Sequence, residues 1–195
     1  MFLIFDTETT GLPANYNAPV TDIANWPRLV QIAWECHDEK GVLLKAYNYI
    51  IKPSGFTIPF SAEKIHGIST ERALREGFDL VFVLQEFNRS LLQTKLVIGH
   101  NIDFDRKIVG AEYVRTGQPD EMSPLPYCCT KEEATEFCAL LGGKGGNFKW
   151  PTLSELHQKL FSEDFNEAHN AAADVAATAR CFLELLRLDV IKIRL

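Results

Sequence analysis

Apolar and polar positions change rhythm several times along this chain, and each change predicts an element. Residues 2–5, FLIF, form an unbroken apolar run that stops at Asp6, with Gly11 and Pro13 following. That reads as a short buried strand ended by a turn. Residues 14–27, ANYNAPVTDIANWP, are rich in Asn and Pro and read as a surface loop. In RLVQIAWECHD, Leu29, Gln31 and Ala33 alternate with Val30, Ile32 and Trp34, the period of a strand. After the turn signal DEKG, GVLLKAYNYIIKP reads as the third strand of a meander. PFSAEKIHGIS and STERALREG then predict two short helices, the second capped by Ser69 or Thr70.

From Asp79 the period lengthens. Leu80, Val83, Leu84, Phe87 and Leu91 keep helical spacing. KLVIGHN predicts a fourth strand, and FDRKIVGAEYVRTG a helix ended by Gly117. YCCT is a short fifth strand and KEEATEFCALLG a single helix closed by glycines. TLSE, residues 152–155, fits a capping box opening the helix TLSELHQKLF. AHNAAADVAATARCFLELLRL is the last helix, and VIKIRL is a small strand or a tail. Three strands in a meander, then strands separated by helices, make a mixed α/β sheet with an antiparallel and a parallel half.

The 195 residues, 46% hydrophobic and 24% charged, suit one domain over 1–195. The net charge of −6 argues against a broad basic footprint for duplex nucleic acid. A small site remains compatible with it if bound cations supply positive charge locally. Five cysteines, an odd number with no C-x-x-C pair, read as free thiols in a reducing compartment. MFLIFD lacks a basic leader, and no apolar run reaches membrane-spanning length. The expectation is a cytoplasmic protein.

The chemistry begins in DTETTG. Asp6 and Glu8 project from one face of the first strand while Thr7 points away. Two carboxylates held that close repel, raise each other's pKa and ask for a cation. Further ligands follow in GHNIDFD, which ends in Asp105, and AHNAAAD, which carries His169 and Asp174 around the small residues Ala171, Ala172 and Ala173. An all-oxygen set suits Mg²⁺ or Mn²⁺ rather than zinc. Two such ions about 3.5–4 Å apart can hold both the attacking and the leaving oxygen of a phosphodiester displacement.

Plainer readings stand beside these. Asp105, or Asp103, is a candidate helix cap, and His169 a helix-start histidine. His100 reads as a structural support for its loop, His66 as pocket wall or scaffold, and His37 and His157 as surface or packing residues. Phe56, Phe60 and Trp150 lie in loops, where they either stack bases or cover the core. GGKGGN, residues 142–147, does not fit the phosphate-loop pattern and reads as a flexible loop. Arg28, Lys64, Arg106, Lys107 and Lys149 are either local phosphate contacts or solvated charges.

DTETTG, HNIDFD and HNAAAD, in that order, resemble the three motifs of the DEDDh (DnaQ-like) 3′–5′ exonuclease family. That family includes the epsilon subunit of bacterial DNA polymerase III, ribonuclease T and the TREX nucleases. KIHGIS and TLSELHQKLF resemble its connecting segments, so the likeness runs over residues 2–186. It implies a ribonuclease H-like fold, a mixed five-stranded sheet flanked by helices. It implies two Mg²⁺ or Mn²⁺ ions, with Asp6 bridging both, Glu8 and Asp174 on the one that activates water, and Asp105 on the other, directly or through water. His169 becomes the general base. Leu12 wedges against terminal bases, Ile65 and His66 line the terminal nucleotide pocket, and Asn101 and Phe104 position strand and substrate.

The implied reaction is hydrolysis from the 3′ end of single-stranded or 3′-frayed nucleic acid, DNA ahead of RNA, releasing nucleoside 5′-monophosphates. Epsilon-type proofreaders carry a Glu where this chain has Ser61, and Glu63 is out of register, which leaves sugar choice open. The alternatives are a proofreading subunit partnered with a DNA polymerase, or an RNA-processing exoribonuclease. The short stretch after the last motif helix favours a free-standing nuclease. A non-catalytic relic is a third class, and it sits poorly with a chain that keeps all four carboxylates and the histidine.

Overall fold

In the computed structural model of the chain, residues 1–163 and 170–193 are described. Strands β1 (Phe2–Thr9), β2 (Leu29–His37) and β3 (Leu43–Ile50) form an antiparallel meander. Helices α1 (Phe60–His66), α2 (Thr70–Glu76) and α3 (Leu80–Leu91) carry the chain back to β4 (Leu96–Gly99), which lies parallel to β1. Helix α4 (Ile102–Thr116) leads to β5 (Tyr127–Cys129), parallel to β4. The sheet order is β3-β2-β1-β4-β5. Two single turns, α5 (Thr130–Glu133) and α6 (Thr135–Cys138), precede α7 (Leu153–Phe161) and α8 (Ala171–Arg187).

The unbroken apolar run in β1 has a simple cause: both faces of the strand are buried. Leu3 and Phe5 pack with Trp34, Phe87 and Val109 on the side of α3 and α4. Phe2 and Ile4 pack with Val175, Phe182 and Leu185 of α8 on the other. Burying a side chain of this size contributes about 1.5–3 kcal/mol, so β1 is fixed from above and below. β2 is buried on both faces as well. Its polar member, Gln31, stays inside by donating from Nε2 to Asn48 Oδ1 at 2.8 Å. Trp34 stacks on Tyr47 at 4.6 Å between centroids and donates its indole N–H to Ser90 Oγ at 3.0 Å.

Local signals mostly fix the helix ends where expected. Asp79 accepts from Phe82 N, and Thr152 and Glu155 form the full capping box. Ser69 rather than Thr70 caps α2, because the Thr70 hydroxyl is engaged with Ile58. Gly117 ends α4 with φ +65°, a left-handed turn that suits glycine.

Two expectations need correction. The helix read over residues 131–142 is two separate turns. Thr135 Oγ1 bonds back to the carbonyl of Lys131, a contact that bends helices, and Ala139 stops the second turn in the left-handed region. Neither Asp103 nor Asp105 caps α4: the cap is Asn101, itself at φ +72°, and Asp105 lies inside the first turn. The loop over 14–27 is a surface loop, as its composition implies, and it is pinned at several points. Trp26 is buried and donates to Pro19 O, Lys107 donates to Tyr16 O, and Arg115 donates to the carbonyls of Ile23 and Trp26. No strand follows α8 among the described residues. No described helix is long and apolar enough to cross a membrane.

Candidate active site

Parallel pairing of β1 with β4 brings the ends of both strands to one edge of the sheet. Gly99 sits close-packed where the chain turns into α4: a Cβ there would meet Ile102 at 3.0 Å and the Phe5 carbonyl at 3.3 Å. α8 lies across β1 and β2, and alanines in its first turn let the backbone approach. Asp174, in that turn, thereby meets the two carboxylates of β1. Carboxylate oxygens of Asp6, Glu8 and Asp174 all lie within 4.8 Å of one another.

Asp105 is placed differently. It is buried, and its Oδ1 accepts from Thr7 N at 3.1 Å and Thr7 Oγ1 at 2.5 Å. Thr7 does leave the face shared by Asp6 and Glu8, as the strand period predicts, but it leaves to hold this carboxylate. Asp105 stands outside the group of three yet close enough to act on it electrostatically.

The charges are costly to keep. Burial, then repulsion from Asp105, Asp174 and Glu8, holds the Asp6 carboxyl well above the usual carboxylate range. Burial, then Asp174 and Asp105, pushes Glu8 to about 7. Burial also raises Asp105 to about 7, although the two Thr7 hydrogen bonds oppose it. The metal-free cluster thus cannot be fully ionised near neutral pH. An oxygen-only donor set under strong negative potential fits hard divalent cations such as Mg²⁺ or Mn²⁺.

Two open clefts flank the cluster. One, of about 560 Å³, is lined by Asp6, Asp174, Leu12, Asn101 and Phe104. The other, of about 360 Å³, is lined by Glu8, Leu12, Ile65, His66 and Phe104. All five residues expected at the substrate therefore line one or both clefts, and Leu12, 74% exposed, stands on the wall between them. Ser61 borders the smaller cleft. Tyr16 and residues 152–154 line the larger one and had no signal in the sequence beyond proximity to a loop or cap. Thr7 was missed as the support of Asp105.

The histidines separate by their partners. His169 lies outside the described residues. His100 spends both ring nitrogens at 3.0 Å, on Thr130 Oγ1 and Pro151 O, and burial lowers its pKa to about 4. It is a brace beneath the larger cleft. His66 joins both readings: its Nδ1 accepts from Ile68 N at 3.1 Å while the ring walls the smaller cleft. His37 and His157 are buried packing residues with hydrogen bonds.

Most of the basic candidates are already engaged. Arg28 donates to buried Glu112, Lys107 pairs with Asp103, and Lys149 with Glu155. Lys64 lies over the Phe60 ring and Arg106 over Tyr127.

Comparison with known proteins gives the family. The exonuclease profile of the ribonuclease T type matches residues 3–182. The chain is 30% identical over 179 residues to a PolC-type DNA polymerase III of Streptococcus thermophilus, covering 92% of this chain and 11% of that one. It is 29% identical over 186 residues to the same kind of protein from Streptococcus suis, covering 95% and 11%. The chain thus spans about a tenth of the length of these curated relatives. Among solved structures it is similar to Escherichia coli exonuclease I in complex with a dT13 oligonucleotide, at a TM-score of 0.74, 20% identity and coverage of 96% and 42%. The dA16 complex of that enzyme gives 0.72, 19%, 95% and 40%.

The chain belongs to the exonuclease family, in its DEDDh (DnaQ-like) branch, and has the ribonuclease H-like fold. The shared architecture is a mixed five-stranded sheet flanked by helices.

Proposed function

We propose that residues 1–195 form one exonuclease domain that hydrolyses single-stranded or frayed DNA from the 3′ end and releases nucleoside 5′-monophosphates. The observation that carries this reading is the convergence of Asp6, Glu8 and Asp174 within 4.8 Å, on an open cleft with buried Asp105 behind. When bound, two Mg²⁺ or Mn²⁺ ions would acidify the attacking water and offset charge on the leaving oxygen. Asp6, Glu8 and Asp174 are the residues to hold them, with Asp105 supporting the second.

His169 takes a proton from the attacking water; an imidazole titrates near neutrality and is suited to that task. Leu12 and Phe104 clasp the last nucleotide, Ile65 and His66 wall its pocket, and Asn101 steers the strand. DNA is favoured over RNA by the relatives, which are named as DNA polymerases, and by the exonuclease I complexes with deoxyoligonucleotides. The free thiols fit a reducing, cytoplasmic setting.

The test is digestion of matched DNA and RNA oligonucleotides, labelled at either end, with and without EDTA. We expect a descending ladder from the 5′ label, mononucleotide at once from the 3′ label, and no cleavage in EDTA. Release of the 5′ label first, or indifference to EDTA, sinks the reading. The PolC relatives favour one second reading, a proofreading module that works on a polymerase. Pull-down against the replicative polymerase separates it, since a free-standing nuclease recovers none.

A further inference from the structure

Trp150 is 61% exposed and belongs to none of the apolar cores. The Lys131 ammonium lies 3.9 Å from its ring centroid and donates to Asn101 Oδ1 at 2.6 Å. These partners are a ring and an amide, both neutral, and among the described residues no carboxylate forms an ion pair with Lys131. Asn101 lines the larger cleft beside the carboxylates. Trp150 also borders a separate pocket of about 510 Å³, walled by Gly142, Gly143, Lys144, Asn147 and Phe148, with Lys149 and Glu136 supplying one charge of each sign beside Lys144. That wall requires glycine: a Cβ on Gly143 would stand 2.3 Å from the Asn147 carbonyl. Lys149 N closes the loop onto Leu140 O at 2.8 Å.

We infer that Trp150, Lys131 and the glycine-rich loop form a second substrate subsite, outside the cleavage cleft, that stacks an unpaired nucleobase on the indole and neutralises a backbone phosphate. This rests on the proposed nuclease reading and names what lies further along the same strand. An indole offers a sequence-tolerant stacking face, worth about 1–3 kcal/mol per base. An ammonium next to it matches the phosphate that accompanies each base. Continuity with the cleft runs through Asn101, which lines the cleft and accepts from Lys131. A paired base cannot stack there, so the subsite selects single strands several nucleotides long.

Trp26 and Trp34 are 3% and 0% exposed, which leaves Trp150 as the open reporter among the three tryptophans of the chain. Titration with dT12 in calcium should quench the indole emission of the wild-type chain and leave that of Trp150→Phe unchanged. Labelled dT12 should bind Trp150→Ala about tenfold more weakly than wild type, with Trp150→Phe close to wild type because a phenyl ring also stacks. With Mg²⁺, the ratio of kcat/KM for a twelve-nucleotide strand to that for a dinucleotide should fall about tenfold in Trp150→Ala.

Absence of quenching in wild type, or equal binding by Trp150→Ala, overturns the subsite. These readouts stand apart from the parent reading, which fails separately if wild-type protein hydrolyses no oligonucleotide in Mg²⁺ or Mn²⁺.

Discussion

β1 and β3 are strands of the same length, eight residues each, in the same sheet, yet they have opposite characters. β1 is central and buried on both faces, and it carries Asp6 and Glu8 at its end. β3 is an edge strand whose outer half, including Leu43 and Leu44, is about half exposed. Repelling carboxylates need a backbone that does not yield, and the sheet puts them on a central strand packed on both faces. The edge strand covers Trp34 with Tyr47 and carries none of the candidate chemistry. Rigidity and chemistry coincide in one strand and are both absent from the other.

The sharpest break in that comparison comes from removing charge at the end of β1 and its partner helix. Asp6→Ala and Asp174→Asn should abolish Mg²⁺-dependent release of mononucleotides, while circular dichroism and the melting profile keep the folded signature. A 3′-labelled oligomer degraded by Asp6→Ala as fast as by wild type would overturn the assignment of the site. His169→Ala should follow with a loss of roughly 10²–10⁴-fold in kcat if it acts as general base, and its pH–rate profile should lose the limb near neutrality.

The centre of the molecule was far more legible than its periphery. β1 announced itself because burial on both faces leaves only apolar residues before Asp6, and the period-two rule put Glu8 beside it. Asp174 was legible from the small residues ahead of it in α8. The arrangement around Asp105 was not: Thr7 looked like a residue facing away from the chemistry, and only tertiary folding shows what it meets there. The 14–27 segment has loop composition, but its anchors sit on α4 at Lys107 and Arg115, far away in sequence. The broken helix at 130–138 failed for a related reason, since threonine hydroxyls compete locally for backbone groups.

Thr7→Val sharpens the comparison inside β1 itself. It keeps the shape and removes the hydroxyl that donates to Asp105. Loss of a hydrogen bond to a charged group costs about 1.5–3 kcal/mol, so we expect a lower melting temperature and a fall in kcat of about tenfold with little change in KM. Equal loss of KM and kcat, or none, would detach Thr7 from the positioning of Asp105.

Proton linkage gives a smaller effect with a definite sign. In the folded, metal-free chain Glu8 and Asp105 are pushed up to about 7 from ordinary values of 4.5 and 3.8. Between those values and 7 the folded state binds more protons than the unfolded, so stability falls as pH rises through this window. EDTA-treated protein should therefore melt a few degrees higher at about pH 5.5 than at about pH 8. Mn²⁺ should raise the melting temperature more at the higher pH, where the ligands are ionised. The opposite slope would mean that the carboxylates are already compensated by the protein.

The smallest effect belongs to the edge strand, and it is the control for the rest. Leu44 is 52% exposed on β3, so its replacement by Thr gives up little burial and gains a residue with good strand preference. Surface changes of this kind stay within about 0.5 kcal/mol, so melting temperature and kcat/KM should both match wild type within error. A hydroxyl there also makes the open edge less inviting to another strand, so light scattering at high protein concentration should stay equal or fall. If Leu44→Thr instead lowered kcat/KM as much as Thr7→Val, strain at the sheet edge would be reaching the carboxylates through β2. The site would then depend on the whole sheet, not on the double packing of β1.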